Sequence, residues 1–175
     1  MKLETSLPGR TWLTLALLLG THCSVACGSW GTTRLCDDFQ SYESVQGIRA
    51  QLARRGLAEG WKEESQGTSE NDKRKPYKFT YLQGPFRLSG VEGQLKFTFF
   101  NGRLMETQFV PQKGSDYMEV LRRENSKVPM KAAEEIIIDR RTKLRFDVLP
   151  GGNLTFTWYD PKLDNEWKNW LASNS

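Results

Sequence analysis

Carboxylates are the side chains of this sequence best suited to acid–base chemistry. The chain has a single histidine, His22, and it lies in a segment that we expect to be removed. Without imidazole, the serine, cysteine and threonine nucleophiles that use a histidine base are excluded, and so are the usual histidine-containing zinc sites. What remains is a pair of carboxylates of the glycosidase type, which leaves no sequence signature because only its spacing in space matters. The candidates for such a pair are Glu106, Asp147 and Asp160.

Tryptophan side chains could extend this chemistry to sugars. Trp61, Trp158 and Trp167 are candidate stacking platforms, so a carbohydrate-active enzyme is one hypothesis. Tryptophans at helical or alternating spacing are more often core residues, however, and acids at turns are ordinarily solvated. The sequence also has no phosphate-binding loop and no calcium-loop pattern. We therefore predict a protein that is not an enzyme, with no catalytic residue, no cofactor and no metal site.

Residues 1–26 predict a secretory signal peptide. Two basic residues precede an apolar run over residues 12–19, which is too short to remain as a membrane-spanning helix. The small residues Ser24 and Ala26 suit the pocket of signal peptidase, so we expect cleavage after Ala26. The mature protein is therefore expected to be exported, either to the periplasm or to the outside of the cell.

Two cysteines follow the signal peptide, and they leave two alternatives open. After soluble export, Cys27 and Cys36 could close a short disulfide in an oxidising compartment. Alternatively, Val25-Ala26-Cys27 matches the last three positions of a lipobox. In that case Cys27 carries a lipid anchor at the outer membrane, and Cys36 has no cysteine partner. In both cases residues 27–38 are expected to form an N-terminal tether.

Charge and hydropathy restrict the partners that the protein can have. The full chain carries a net charge of +4, which is milder than the strongly basic composition of nucleic-acid-binding proteins. No second apolar run reaches membrane-spanning length, so no transmembrane segment is expected. The remaining residues, 39–175, suit a single domain.

Three segments have apolar residues at helical spacing. The first extends over residues 39–52 and should end at Gly56. The second begins near Ser115. The third begins at Pro161, which fits the first helical position, with Asp160 as its N-cap. Each helix has one apolar stripe, so each should pack on another element.

Other segments indicate extended structure and one long loop. Residues 62–76 are strongly charged and have no large apolar side chain, which predicts a mobile loop. Alternating apolar residues predict strands at residues 77–81, 95–99 and 144–148. The β-branched run 136–138 is typical of a strand that is covered on both sides, although a short apolar run is ambiguous by itself.

One stretch of the sequence occurs twice. Residues 93–104 read GQLKFTFFNGRL, and residues 152–163 read GNLTFTWYDPKL. The repetition predicts two related helix-plus-hairpin halves, 39–111 and 115–175, and the alternative is a coincidence between two amphipathic strands. The predicted fold class is α+β, with an antiparallel sheet and helices packed on one face.

Turn length determines which side chains face inward in the two hairpins. In the first hairpin, a three-residue loop sets Phe97 opposite Met105 and keeps Glu106 out of the core. In the second hairpin, a three-residue loop sets Phe146 opposite Phe156. Both loops turn the same face of the sheet inward.

The outer strand face offers the best candidate binding surface. Thr155, Thr157 and Tyr159 alternate there beside Lys143 and Arg145, and aromatic and basic residues together suit an interface. These five residues support an exported, non-enzymatic binding or accessory protein whose partner is another extracytoplasmic protein. The alternatives are the carboxylate enzyme and a purely structural envelope protein. A helix lying over the aromatic rows would remove the surface.

Overall fold

The computed structural model describes residues 31–68, 73–125, 128–129 and 131–174. These residues belong to one compact unit that starts at Gly31. The predicted signal peptide and Cys27 lie outside the described residues. In the described ranges, no helix is long and apolar enough to cross a membrane.

Three helices and seven strands make up the fold. They are α1 (Val45–Arg54), β1 (Lys62–Gly67), β2 (Lys78–Leu88), β3 (Val91–Phe100), β4 (Arg103–Pro111), α2 (Gly114–Glu124), β5 (Ile136–Asp139), β6 (Thr142–Val148), β7 (Leu154–Tyr159) and α3 (Pro161–Asn174). The strands form one sheet in the order β1-β2-β3-β4-β7-β6-β5, and every neighbouring pair is antiparallel. The α+β class with an antiparallel sheet is therefore confirmed.

One face of the sheet is built for the core, and we call it the apolar face. Alternate side chains of β3, β4 and β7 point to this face, where α1 and α2 pack on them. Phe97, Phe109 and Phe156 are fully buried there. The Tyr117 ring of α2 meets the Phe156 ring edge-on, with 4.8 Å between ring centroids. This face holds the larger part of the buried apolar surface, which is the main favourable contribution to folding.

Helix α3 lies on the opposite side of the sheet, which we call the polar face. Its Trp167 ring lies 4.8 Å from the Phe79 ring and 5.7 Å from the Phe100 ring, and Leu163 is buried in the same cluster. The sequence predicted that all helices pack on one face, so α3 is a correction. The reason is that Phe79 and Phe100 point away from the apolar face and leave an apolar area at one end of the polar face, which α3 covers.

The start of α3 agrees with the sequence prediction. Pro161 is the first helical residue, and the Asp160 carboxylate accepts a hydrogen bond from the Lys162 backbone N–H at 2.9 Å. The same carboxylate also accepts two bonds from Arg141, at 2.8 and 2.6 Å. Asp160 is fully buried, and a buried carboxylate requires such pairing.

The described part of the predicted tether, residues 31–38, packs against the rest of the domain. Leu35 and Cys36 are buried in the core, and the Thr33 hydroxyl lies 2.5 Å from that of Thr142 on β6. Residues 31–38 are therefore part of the domain, because their apolar side chains fill the core beside α1. The first helix is also shorter than predicted, since Ser44 caps it and α1 begins at Val45.

The first hairpin differs from its predicted register. Its loop has two residues, Asn101 and Gly102, both with positive φ of 49° and 76°, and Phe97 pairs with Thr107 and not with Met105. Asn-Gly favours this tight turn. A bulge at Met105 in β4 adds one residue to that strand, so Glu106 pairs with Thr98 and points away from the core. The predicted pairing of the second hairpin, Phe146 with Phe156, is confirmed.

Two edge strands also differ from the sequence predictions. Residues 62–67 of the predicted loop form β1, which pairs with β2 although all its side chains are exposed. Ladder hydrogen bonds and not apolar burial hold this edge strand, so hydrophobic spacing misses it. The run 136–138 belongs to β5, the other edge of the sheet. Ile137 is 60% exposed there, so this strand is not covered on both sides.

The relation between the two predicted halves stays a prediction. Both copies of the repeated stretch lie in the same sheet and run antiparallel to β4. Most of their aromatic side chains are on the apolar face, whereas Phe100 and Tyr159 point to the polar face. The strands that precede the two copies lie on opposite sides of them, however, with β2 beside β3 and β6 beside β7. The matching glycines also differ: Gly93 lies inside β3, whereas Gly152 lies in a turn with φ of 83°.

This difference between the glycines predicts unequal costs of substitution. A Cβ at Gly93 would lie 2.5 Å from the Val110 carbonyl oxygen and 2.7 Å from the Phe109 ring, so Gly93→Ala should cost about 2 kcal/mol through overpacking. Gly152→Ala meets no neighbour and should cost about 1 kcal/mol through its positive φ. Urea unfolding of both variants measures the two costs. Equal costs would contradict these different roles.

Candidate functional site

Side chains on the polar face form two rows that run across the strands. Strand pairing sets residues of neighbouring strands opposite one another. The first row, which we call the Glu106 row, contains Glu64, Tyr81, Thr98, Glu106, Tyr159 and Lys143. The second row, which we call the Lys96 row, contains Lys62, Gln83, Lys96, Gln108, Thr157 and Arg145. Four of the five predicted binding residues therefore belong to these rows. The fifth, Thr155, is two residues before Thr157 on the same face of β7.

The five predicted binding residues share one face, but they are not equally accessible. Thr155 and Thr157 are each 1% exposed, and Tyr159 is 6% exposed. Lys143 and Arg145 are only half-buried. A partner that approaches the polar face would therefore meet the two cations first. Tyr159 is covered, as the alternative in the sequence analysis allowed, so its ring is not available to a partner.

Glu135 joins three of the predicted residues, and sequence reasoning missed it. Its carboxylate accepts hydrogen bonds from the Tyr159 hydroxyl and, at 2.9 Å, from the Lys143 ammonium. The Arg145 guanidinium lies 3.7 Å away. The bond from Tyr159 and the nearby cations lower the pKa of Glu135, so it stays ionised and holds the cations in place. No sequence signal marks Glu135, because it precedes β5 as one of several charged residues.

Glu106 has the most unusual environment of the three candidate carboxylates. It is half-buried in the middle of the polar face, and the Thr98 hydroxyl donates to it at 3.4 Å. Burial raises the pKa of Glu106, while the charges of Arg145 and Lys96 oppose the increase. A carboxyl group with a raised pKa is a feature of general acids, but general acid catalysis in a glycosidase needs a second carboxylate nearby.

The other two candidate carboxylates do not form such a pair with Glu106. Asp147 bonds Arg145 at 3.1 Å; it lies two strands and four residues from Glu106, a Cα separation of roughly 16 Å by sheet geometry. Glycosidase carboxylates lie about 5 to 10 Å apart. Asp160 has no access to solvent, and hydrogen bonds, chiefly from Arg141, lower its pKa against the opposing effect of burial. It caps α3, so we assign it a structural role.

The three tryptophans that could stack on sugars take part in packing. Trp158 is 3% exposed in the core. The Trp61 ring lies 5.5 Å from the Phe97 ring on the apolar face, and Trp167 packs in the aromatic cluster under α3. None of the three offers an open platform beside Glu106.

Cys36 has the properties of a structural thiol. It is buried in the core and forms no disulfide with another described residue, and burial raises its pKa to about 12. A disulfide with Cys27 would require this side chain to be reached from outside the core. Because Cys27 lies outside the described residues, both its lipidation and its pairing stay predictions.

The polar face also holds a cavity that the sequence did not predict. Its volume is about 440 Å³, and it is lined by Gly60, Lys62, Glu64, Tyr81, Gln83, Gly84, Gln94 and Lys96. The Lys96 ammonium lies 4.5 Å from the centroid of the Tyr81 ring, in cation–π contact. Sequence reasoning missed this region because it placed Lys62 and Glu64 in a loop.

Neither a metal-binding group nor a similarity to known proteins assigns a function to the polar face. Within the described part of the chain, no group of three or more His, Cys, Asp or Glu residues is placed to hold a metal ion. No protein-family model and no curated protein sequence matches this chain. The functional argument therefore rests on the polar face itself.

The raised pKa of Glu106 predicts a pH-dependent effect of Glu106→Gln. Ionised Glu106 is disfavoured in the folded state, so its contribution to stability is present at low pH and is lost as the pH rises through the folded pKa. Glu106→Gln should therefore unfold at higher urea concentration than the unsubstituted protein at pH 8, and at a similar concentration at pH 4. Glu119→Gln, at an exposed position of α2, is the control. A variant that is less stable at pH 8 would contradict the burial argument.

The buried thiol predicts slow modification of Cys36. In the folded mature protein, a thiol reagent should leave Cys36 unmodified at pH 8, and it should react once the protein is unfolded in guanidinium chloride. If no thiol appears on unfolding until a reductant is added, Cys36 is in a disulfide. The intact mass of the mature chain shows separately whether Cys27 carries a diacylglycerol.

Proposed function

We propose that this chain is an exported, non-enzymatic binding protein of the cell envelope or extracellular space, and that it binds another extracytoplasmic protein through the polar face of its sheet. One observation carries the proposal: the long polar side chains of Lys62, Gln83, Lys96 and Gln108 in the Lys96 row remain at least partly accessible on the part of the polar face that α3 does not cover. The export part of the proposal rests on residues 1–26.

The accessible side chains lie where α3 does not cover the sheet. Gln83 and Gln94 are exposed, and Lys96 and Gln108 are half-buried. In the described residues, the amides of these glutamines have no hydrogen-bond partner within the protein. Amides without an internal hydrogen bond are free to bond a partner.

The strands beneath these side chains form a rigid support. β3, β4 and β7 each pair with a neighbour on both sides, and the apolar face holds them on α1 and α2. Glu135 and Asp147 fix Lys143 and Arg145. Preorganised side chains lose less entropy on binding than mobile ones, which favours a binding role for this face.

The catalytic alternative has less support. Glu106 lacks a second carboxylate at glycosidase spacing among the three candidates, and the candidate tryptophans are used in packing. A purely structural envelope protein is distinguished from a binding protein by the experiment below.

Site-specific photocrosslinking in the producing cells tests the proposal. A photoreactive residue at Gln108 should give a discrete adduct with one envelope protein, which mass spectrometry identifies. The same residue at Glu119, at an exposed position of α2, is the matched control and should give no such adduct. Absence of an adduct from Gln108, or the same adduct from both positions, would contradict binding through the polar face.

A further inference from the structure

The Lys96 row has a charge pattern that limits what can bind to it. Its six members lie on successive strands, so neighbours are about 4.8 Å apart and the row spans about 24 Å. Lys62, Lys96 and Arg145 are its first, third and sixth members. The cations are therefore separated by about 10 and 14 Å, and the row itself contains no carboxylate.

Two of these cations lack an opposite charge in direct contact. Within the described ranges, neither Lys62 nor Lys96 forms an ion pair. Arg145 is shared between Asp147, at 3.1 Å, and Glu135, at 3.7 Å. The carboxylates of Glu64 and Glu106 in the neighbouring row lie two residues away along the strands, a Cα separation of about 7 Å.

Amides and a hydroxyl occupy the positions between the cations. Gln83 and Gln108 each present a donor and an acceptor, and their amides have no internal hydrogen bond in the described part of the protein. The Thr157 hydroxyl is buried and has no hydrogen-bond partner among the described residues. Amides between cations suit a ligand that alternates carboxylates with backbone amide groups.

We propose that the partner docks as an extended acidic segment of its chain along the Lys96 row. This inference rests on the proposed function and specifies its partner. An extended segment that spans about 24 Å needs about seven residues. Its carboxylates would meet Lys62, Lys96 and Arg145, and its backbone amides would meet Gln83 and Gln108.

Other modes of recognition fit the row less well. Strand addition needs free backbone groups, but those of the central strands are used in the sheet. A helix in a groove needs apolar anchors, and the row has none. Double-stranded DNA carries a charge every 1.7 Å or so along its axis, much denser than these cations. Carboxylates on one side of an extended acidic segment are about 7 Å apart, which is closer to the spacing of these cations than the phosphate spacing of DNA.

Fluorescence anisotropy with a defined probe tests the inference. The probe is a labelled heptapeptide of alternating glutamate and serine, titrated with the mature protein at low ionic strength. Binding should weaken as salt is added, because the contacts are between exposed charges. Lys62→Glu, on the exposed edge strand, should weaken binding about tenfold. Lys96→Gln should also weaken it without introducing a charge beside Glu106.

Lys113→Glu is the matched control, because Lys113 is exposed and lies outside the polar face, just before α2. It should change the affinity by less than about twofold. Equal losses in Lys62→Glu and Lys113→Glu, or tighter binding of a lysine-serine heptapeptide, would overturn the inference. So would an absence of peptide binding, including the case in which an acidic polysaccharide binds instead. If any of these occurs while Gln108 still crosslinks to its partner, the acidic segment is wrong and the proposed binding face stands.

Discussion

The fold depends on the strand pairing that keeps alternate side chains of every strand on the apolar face. In β4 this pairing requires the bulge at Met105. A two-residue turn without that bulge would set Phe97 opposite Glu106 and turn the charged side of β4 toward the core. The extra residue moves Thr107 opposite Phe97, and Glu106 then points to the polar face. Because β4 lies in the centre of the sheet, β7 and β6 inherit the corrected register. The rows of the candidate site are thus a consequence of core packing.

The sequence predicted the structure correctly where local geometry or hydrophobic alternation determines a residue's position. Asp160 and Pro161 begin α3 because a carboxylate caps the free N–H groups and proline fits the first turn. Phe146 pairs with Phe156 because only that register buries both aromatic rows. Each of these positions is determined by local geometry and by hydrophobic alternation, and both can be read from neighbouring residues.

Other features depend on interactions that neighbouring residues do not encode. β1 is wholly polar and is held by its ladder to β2 and by polar side-chain contacts such as Arg49 with Glu63, so hydrophobic spacing assigns it to a loop. Turn type and bulge compensate each other in the first hairpin, and alternation by itself cannot separate a three-residue turn from a two-residue turn with a bulge. The side on which α3 packs depends on Phe79 and Phe100, which lie more than sixty residues before its start. Glu135 was missed for the same reason, because its role exists only when Tyr159 and Lys143 are adjacent in space.

Stability and the candidate site share residues at the centre of the polar face. Lys96 and Arg145 oppose the cost of burying Glu106, and they are also cations of the Lys96 row. A partner carboxylate that approached these cations would compete with Glu106 for them and would disfavour its ionised form further. Binding of an acidic segment would therefore favour protonated Glu106, and protonation would in turn leave the cations more available to the segment. The half-buried Glu106 thus couples the burial of a carboxylate to the charge of the Lys96 row.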